Sequence, residues 1–128
     1  MTVLHWRAAG VSVVLDRTGP LLPRVLHWGA DLGDAGLADL ALAVTPQQVS
    51  NNVDDVVPVS VLPEQSVGWI GTPGVTGHRA GAAFSTAFTV ERTEEEPIGR
   101  RLVVTARDAA AGLSLLLEFE LTESGLIR

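Results

Sequence analysis

Apolar and polar positions change period several times along the chain, and each change marks an element. Val3–Ala8 and Val11–Asp16 are short apolar runs rich in β-branched residues, divided by Gly10. They predict two strands joined by a tight turn. Gly19, Pro20 and Pro23 interrupt the pattern as a loop, and Arg24–Trp28 predicts a third strand. After a Gly/Asp loop at 31–36, Leu37, Leu40, Ala41 and Val44 fall on one helical face. Asp34 is a candidate N-cap for that short helix and Pro46 stops it. The stretch 47–63 holds Asn51-Asn52, Asp54-Asp55, Pro58 and Pro63. It predicts an extended loop with at most one strand, around 56–61. Gly68, Gly71, Gly74, Gly77 and Gly81 then make a glycine-rich loop.

The C-terminal third alternates again. Phe84–Glu91 predicts a strand and Thr93–Gly99 an acidic turn. Leu102–Asp108 and Leu113–Thr122 predict a hairpin closed by Ala109–Gly112. In its second strand Leu117, Phe119 and Leu121 alternate with Glu118, Glu120 and Thr122, which turns the glutamates to water. Short links make the strands antiparallel, and one helix is too few for βαβ units. The predicted fold class is mainly β, an antiparallel β-sandwich or part of one, with one short helix. Ser124–Arg128 reads as the start of a strand without a partner, leaving an open sheet edge. The chain is therefore expected to be a single N-terminal domain, 1–128, of a longer multidomain protein.

Composition narrows the chemistry. Hydrophobic residues make up 46% of the 128 residues and charged ones 19%, a globular balance. The formal charge of −6 argues against a sequence-independent nucleic-acid binder, which needs a basic face. All nine basic residues are arginine, and there is no Lys, Tyr or Cys. Thiol catalysis, cysteine metal sites, disulfides and Schiff-base lysines are thus excluded. No apolar run reaches the roughly 18 residues of a membrane-spanning helix. The N-terminus lacks a basic region followed by an apolar core, so the cytoplasm is the expected location.

Few residues suggest a site. Asp54-Asp55 and Glu94–Glu96 lie in predicted turns, whereas a glycosidase needs two carboxyl groups facing each other across a bond, about 5–9 Å apart. Both clusters read as solvated turns. His5-Trp6 and His27-Trp28 lie on predicted strands, where neighbouring side chains face opposite ways. No histidine stands three or four residues from another, so no metal-ligand pair is present. No GxSxG elbow is present either. The segment Gly68–Arg79 is not a phosphate-binding GxGxxG motif, but it puts Trp69, His78 and Arg79 on one pliable loop. Tryptophan faces stack on sugar rings and arginine offers a rigid fork to hydroxyls or carboxylates. Loop packing remains the plainer reading of the same three residues.

An ordered series of short stretches carries a resemblance: His5-Trp6-Arg7, Val25-Leu26-His27-Trp28-Gly29-Ala30-Asp31-Leu32-Gly33, Asn51-Asn52, and Leu62-Pro63-Glu64 through Gly77-His78-Arg79. Together they resemble the N-terminal domain of bacterial, actinobacterial-type α-galactosidases of glycoside hydrolase family 36. The resemblance covers nearly the whole chain. It implies a β-supersandwich related to the sugar-mutarotase sandwich, followed by a catalytic (β/α)₈ barrel and a small C-terminal β domain. It implies release of terminal α-galactose with retention, by an aspartate nucleophile and an aspartate acid/base that both belong to the barrel. This chain then holds no catalytic residue and is inactive alone. The resemblance implies that it packs on its own barrel, lends loop residues to a galactoside, forms homo-oligomers, and needs no cofactor or metal. Arg79 matches the family's sugar-facing loop, with Trp69 and His78 beside it. Relatives carry an acid just before the aromatic–arginine pair, whereas Thr76-Gly77-His78-Arg79 has none. A free-standing carbohydrate-binding sandwich, with Trp69 and Trp28 as a stacking platform, and a purely structural or oligomerisation domain are the alternatives.

Overall fold

The computed structural model describes residues 3–34, 36–44, 57 and 59–128. Strands β1 (Val3–Ala8), β2 (Val11–Asp16) and β3 (Arg24–Ala30) form one antiparallel sheet in the order β1-β2-β3. Helix α1 (Leu37–Val44) follows, then a single 3-10 turn at Gln65–Val67. Strands β4 (Thr89–Glu96), β5 (Arg101–Asp108) and β6 (Leu113–Glu120) form the second antiparallel sheet, in the order β4-β5-β6. The class is mainly β, as the alternating patterns predict.

The two sheets meet through their apolar faces. Leu4, Trp6, Val13 and Leu15 from the first sheet join Leu102, Val104 and Ala106 from the second, with Leu22, Phe88 and Leu121 closing the cluster. Strand alternation explains the membership: Leu4 and Trp6 face inward, while His5 and Arg7 face outward. Burying each large side chain contributes about 1.5–3 kcal/mol. β6 contributes Leu113, Leu115, Leu117 and Phe119 to the inner face, and Glu118 lies exposed on the other, as its alternation predicts.

β3 contains a register shift. Val14 pairs with His27 but Leu15 pairs with Val25, so Leu26 is the extra residue of a bulge. The bulge keeps Val25 against the main core and sends Leu26 to the outer face, where it packs with Val3, Val14 and Leu32. It also leaves Trp28 opposite Val13 at the open side of the sandwich. The two tryptophans of the His-Trp pairs thus differ: Trp6 is 4% exposed in the core, and Trp28 is 65% exposed beside a shallow apolar groove.

Two expectations need correction. The strand predicted at Phe84–Glu91 begins only at Thr89 and runs to Glu96, so the acidic run 94–96 is strand and the turn falls after it. Two buried carboxylates explain the late start. Glu64 accepts the Phe88 N–H at 3.0 Å and Asp108 accepts the Ala87 N–H at 2.9 Å, so these donors are satisfied without a ladder. The glutamates in turn suit an edge strand, whose exposed charges discourage further pairing. Second, Ser124–Arg128 does have a partner. Gly125, at φ +82°, turns the chain back so that Arg128 and Glu120 exchange backbone hydrogen bonds of 2.7 and 3.0 Å. Leu121 bridges Ile127, which packs on the core. Around 56–61 the described residues show an isolated bridge, Ser60 with Arg24, in keeping with an extended stretch holding at most one strand. Asn51-Asn52, Asp54-Asp55 and Pro46 lie outside the described residues.

Candidate functional site

The glycine-rich loop is ordered by turns that its glycines permit. Gly68 ends the 3-10 turn at φ +94°, in the left-handed region open to glycine. The Trp69 indole folds back over Gly71 and donates from Nε1 to the Thr72 carbonyl at 3.1 Å. A Cβ at Gly71 would lie 2.7 Å from Nε1, so the ring's position requires glycine there.

Further on, Arg79 and Ala82 exchange backbone hydrogen bonds of 2.8 and 2.9 Å across Ala80 and Gly81. Both central residues have positive φ, +48° and +82°, as a type I′ turn requires. This tight turn fixes the base of the Arg79 side chain. Its Nε donates to the Ala111 carbonyl at 2.8 Å, and its Nη2 approaches the Gly112 carbonyl at 3.4 Å. The acceptors lie in the β5–β6 connection, which Asp108 shapes by accepting the Ala111 N–H at 2.9 Å. Those backbone donors hold the Asp108 carboxyl below its ordinary range. His78 Nδ1 accepts the Gly81 N–H at 3.2 Å, and its ring lies tilted 44° to Phe84 with centroids 6.1 Å apart.

A cavity of about 240 Å³ opens here, walled by Val75, Thr76, His78, Arg79, Phe84 and Leu113 among others. The structure therefore brings His78 and Arg79 together and leaves Trp69 outside that wall. Phe84, 66% exposed, is the aromatic that joins them. Sequence reading placed Phe84 in a strand and missed it. Its single signal was a large apolar residue three positions after Gly81.

A second polar cluster lies on the outer face of the first sheet, and it too went unread. His5 Nε2 and the Ser12 hydroxyl are 2.8 Å apart, and Ser12 donates to Asp31 at 2.9 Å. Arg7 donates to both Asp31 oxygens, at 2.6 and 2.7 Å, and also to Asp34. Arg7 first, and then Ser12 and the Gly33 N–H, hold the Asp31 carboxyl far below its ordinary range. Burial, reinforced by Arg7, lowers the His5 pKa. The order of contacts is not that of a hydrolytic triad. Ser12 is fully buried and its hydroxyl donates its hydrogen bond to the Asp31 carboxylate, so that O–H is not aimed at His5 as a triad requires. The cluster ties β1, β2 and the loop after β3 together.

The chain matches the family model "Glycosyl hydrolase family 36 N-terminal domain" over residues 21–128. It belongs to that family. Over 108 residues it is 32% identical to an alpha-galactosidase of Escherichia coli, an alignment that covers 81% of this chain and 14% of the relative. The chain thus spans a small part of the length of the curated relative it matches. No solved structure matches it. The region matched by the family 36 model contains the Arg79 cavity and the whole second sheet, but not β1 or β2.

Proposed function

We propose that this family 36 domain is the N-terminal, non-catalytic part of an α-galactosidase that releases terminal α-linked galactose with retention. Its role in that enzyme is to pack on the catalytic barrel, support a homo-oligomer and present the loop around Arg79 to the galactoside. A cytoplasmic location belongs to the same proposal. The observation that carries the reading is the family match across residues 21–128.

The cavity supports the contact with sugar. Phe84 offers an apolar ring face, Arg79 offers a fixed guanidinium, and His78 stands beside both. Trp69 belongs to the proposal as a neighbour on the same loop, bonded to Thr72. The chain itself supplies no nucleophile or acid/base to the reaction in this reading, so the 128 residues alone should show no turnover. The test is to express the complete reading frame and follow hydrolysis of nitrophenyl α-galactoside, with the anomeric configuration of released galactose read by NMR. Release of the α-anomer supports the proposal, and a complete product that cleaves no α-galactoside overturns it.

A further inference from the structure

Glu64 is 3% exposed, and half of its carboxylate is unused. It stands at the head of the 3-10 turn Gln65–Val67, but its side chain does not cap that turn. The side chain turns inward instead, and Oε2 accepts the Phe88 N–H at 3.0 Å. Oε1 has no hydrogen-bond or ion-pair partner among the described residues. The sealed polar atoms without a partner are Trp6 Nε1 and Arg17 Nε, among the described residues, and Oε1 is not one of them. Oε1 therefore touches open space, and the space beside Glu64 is a cavity of about 190 Å³. Leu21, Leu22, Arg24, Ser60 and Val67 also stand in its wall. It shares no wall residue with the Arg79 cavity.

The two charges in this wall do not meet. Arg24 gives Nη2 to Asp16 and keeps Nε and Nη1 without a partner among the described residues. It makes no ion pair with Glu64. A carboxylate only accepts and a guanidinium only donates, so a group that serves both must donate to one and accept from the other. A hydroxyl does both. An anion would face Glu64 and a cation would face Arg24, so a neutral ligand fits better than either. Ser60 Oγ is engaged by long contacts alone, 3.4 Å to the Pro23 carbonyl and 3.3 Å from the Leu62 N–H, and can turn to a further hydroxyl. Leu21, Leu22 and Val67 supply an apolar wall for ring C–H groups. The volume lies below the roughly 300–1,000 Å³ of drug-sized pockets and suits a single ring. We infer that this cavity binds one neutral saccharide ring, with one hydroxyl donating to Glu64 Oε1, another accepting from Arg24, and ring C–H groups against Leu21. Sugar contact at the Arg79 loop is not needed for it.

The test is titration of the 128-residue chain with galactose and, separately, with glycerol and with sodium acetate, followed by the methyl NMR signals of Leu21, Leu22 and Val67. Galactose is expected to move these signals saturably and to bind more tightly than the other two. E64Q is expected to weaken galactose at least about tenfold, the effect of losing a hydrogen bond to a charged group. L21A trims a side chain that is 48% exposed, so it folds, and it is expected to weaken galactose several-fold; it reports if the glutamine variant does not fold. Glycerol binding as tightly as galactose shows that no ring is read and overturns the saccharide part. Acetate binding as tightly overturns the preference for a neutral ligand. Galactose shifts confined to the Arg79 and His78 signals place the sugar in the other cavity and overturn the inference while leaving the reading of that loop standing. Methyl signals of Leu21, Leu22 and Val67 that do not respond to galactose at all overturn it as well.

Discussion

Arg7 and Arg79 are the same residue type in two regions of one small sandwich, and their surroundings make them different devices. Arg7 is held by both oxygens of Asp31 and by Asp34. Its charge is spent inside the molecule, and the network it anchors closes β1, β2 and the loop after β3. Arg79 is held more lightly, by the carbonyl of Ala111 at 2.8 Å and that of Gly112 at 3.4 Å. Carbonyls fix geometry while leaving the net charge in place. The contrast is between a side chain whose charge is paired inside the molecule and one whose charge is not.

The largest effect should come from the residue that prepares Arg79 rather than from either arginine. Asp108 is 3% exposed and accepts backbone N–H groups from both Ala87 and Ala111. Asp108→Ala strands buried donors, and should cost about 2–3 kcal/mol in urea-denaturation stability. It should also loosen the β5–β6 connection, so the Arg79 Nε–H loses protection from exchange. A stable variant with Arg79 still protected would show that the connection holds its shape by itself.

On the other side of the comparison, Asp31→Ala removes two of the three acceptor contacts of Arg7 and the acceptor for Ser12, which is fully buried. The expected loss is smaller than that of Asp108→Ala, because Arg7 can turn to water and to Asp34. The Arg79 and His78 signals should not move. If they do, the two regions are coupled and the contrast between them collapses.

How much of this could be read from the chain depends on the kind of force involved. Where alternation between a wet and a dry face sets the structure, the residues announce it. The hairpin Leu102–Asp108 and Leu113–Glu120 and the inward Leu117 and Phe119 follow directly from period two. Where side chains satisfy the backbone, nothing periodic marks it. Glu64 and Asp108, far apart in sequence from Phe88 and Ala87, delay β4 by several residues, and no local window contains that information. The same holds for the candidate site. Arg79 and His78 were visible as types on a loop. That Phe84 rather than Trp69 faces them, and that Arg79 lacks an acid, required the fold.

Acid should distinguish the regions more gently. Asp31 and Asp108 both have folded pKa values below the ordinary carboxylate value of about 3.9. The unfolded chain therefore takes up protons first as pH falls. The stability these groups contribute is complete above about pH 5 and is lost progressively as pH drops below 4 toward their folded values. In D31N the acid limb of the stability profile should be shallower than in the wild type, the Asp108 share remaining. An unchanged limb would mean that other carboxylates set it.

The smallest stability effect is the one that decides the comparison. Arg79→Ala removes an exposed side chain whose partners are carbonyls open to other donors, so it should change stability by less than about 0.5 kcal/mol. Arg7→Ala leaves Asp31 and Asp34 as facing carboxylates and should cost more than Arg79→Ala, with the difference shrinking in high salt. A side chain oriented by the fold that nonetheless contributes almost nothing to folding is what a binding group looks like in thermodynamic terms: its interaction energy is left for a ligand. If Arg79→Ala instead costs as much as Arg7→Ala, then Arg79 is a clasp between the loop and the β5–β6 connection. The asymmetry between the two arginines would then reflect only which acceptor each happens to reach.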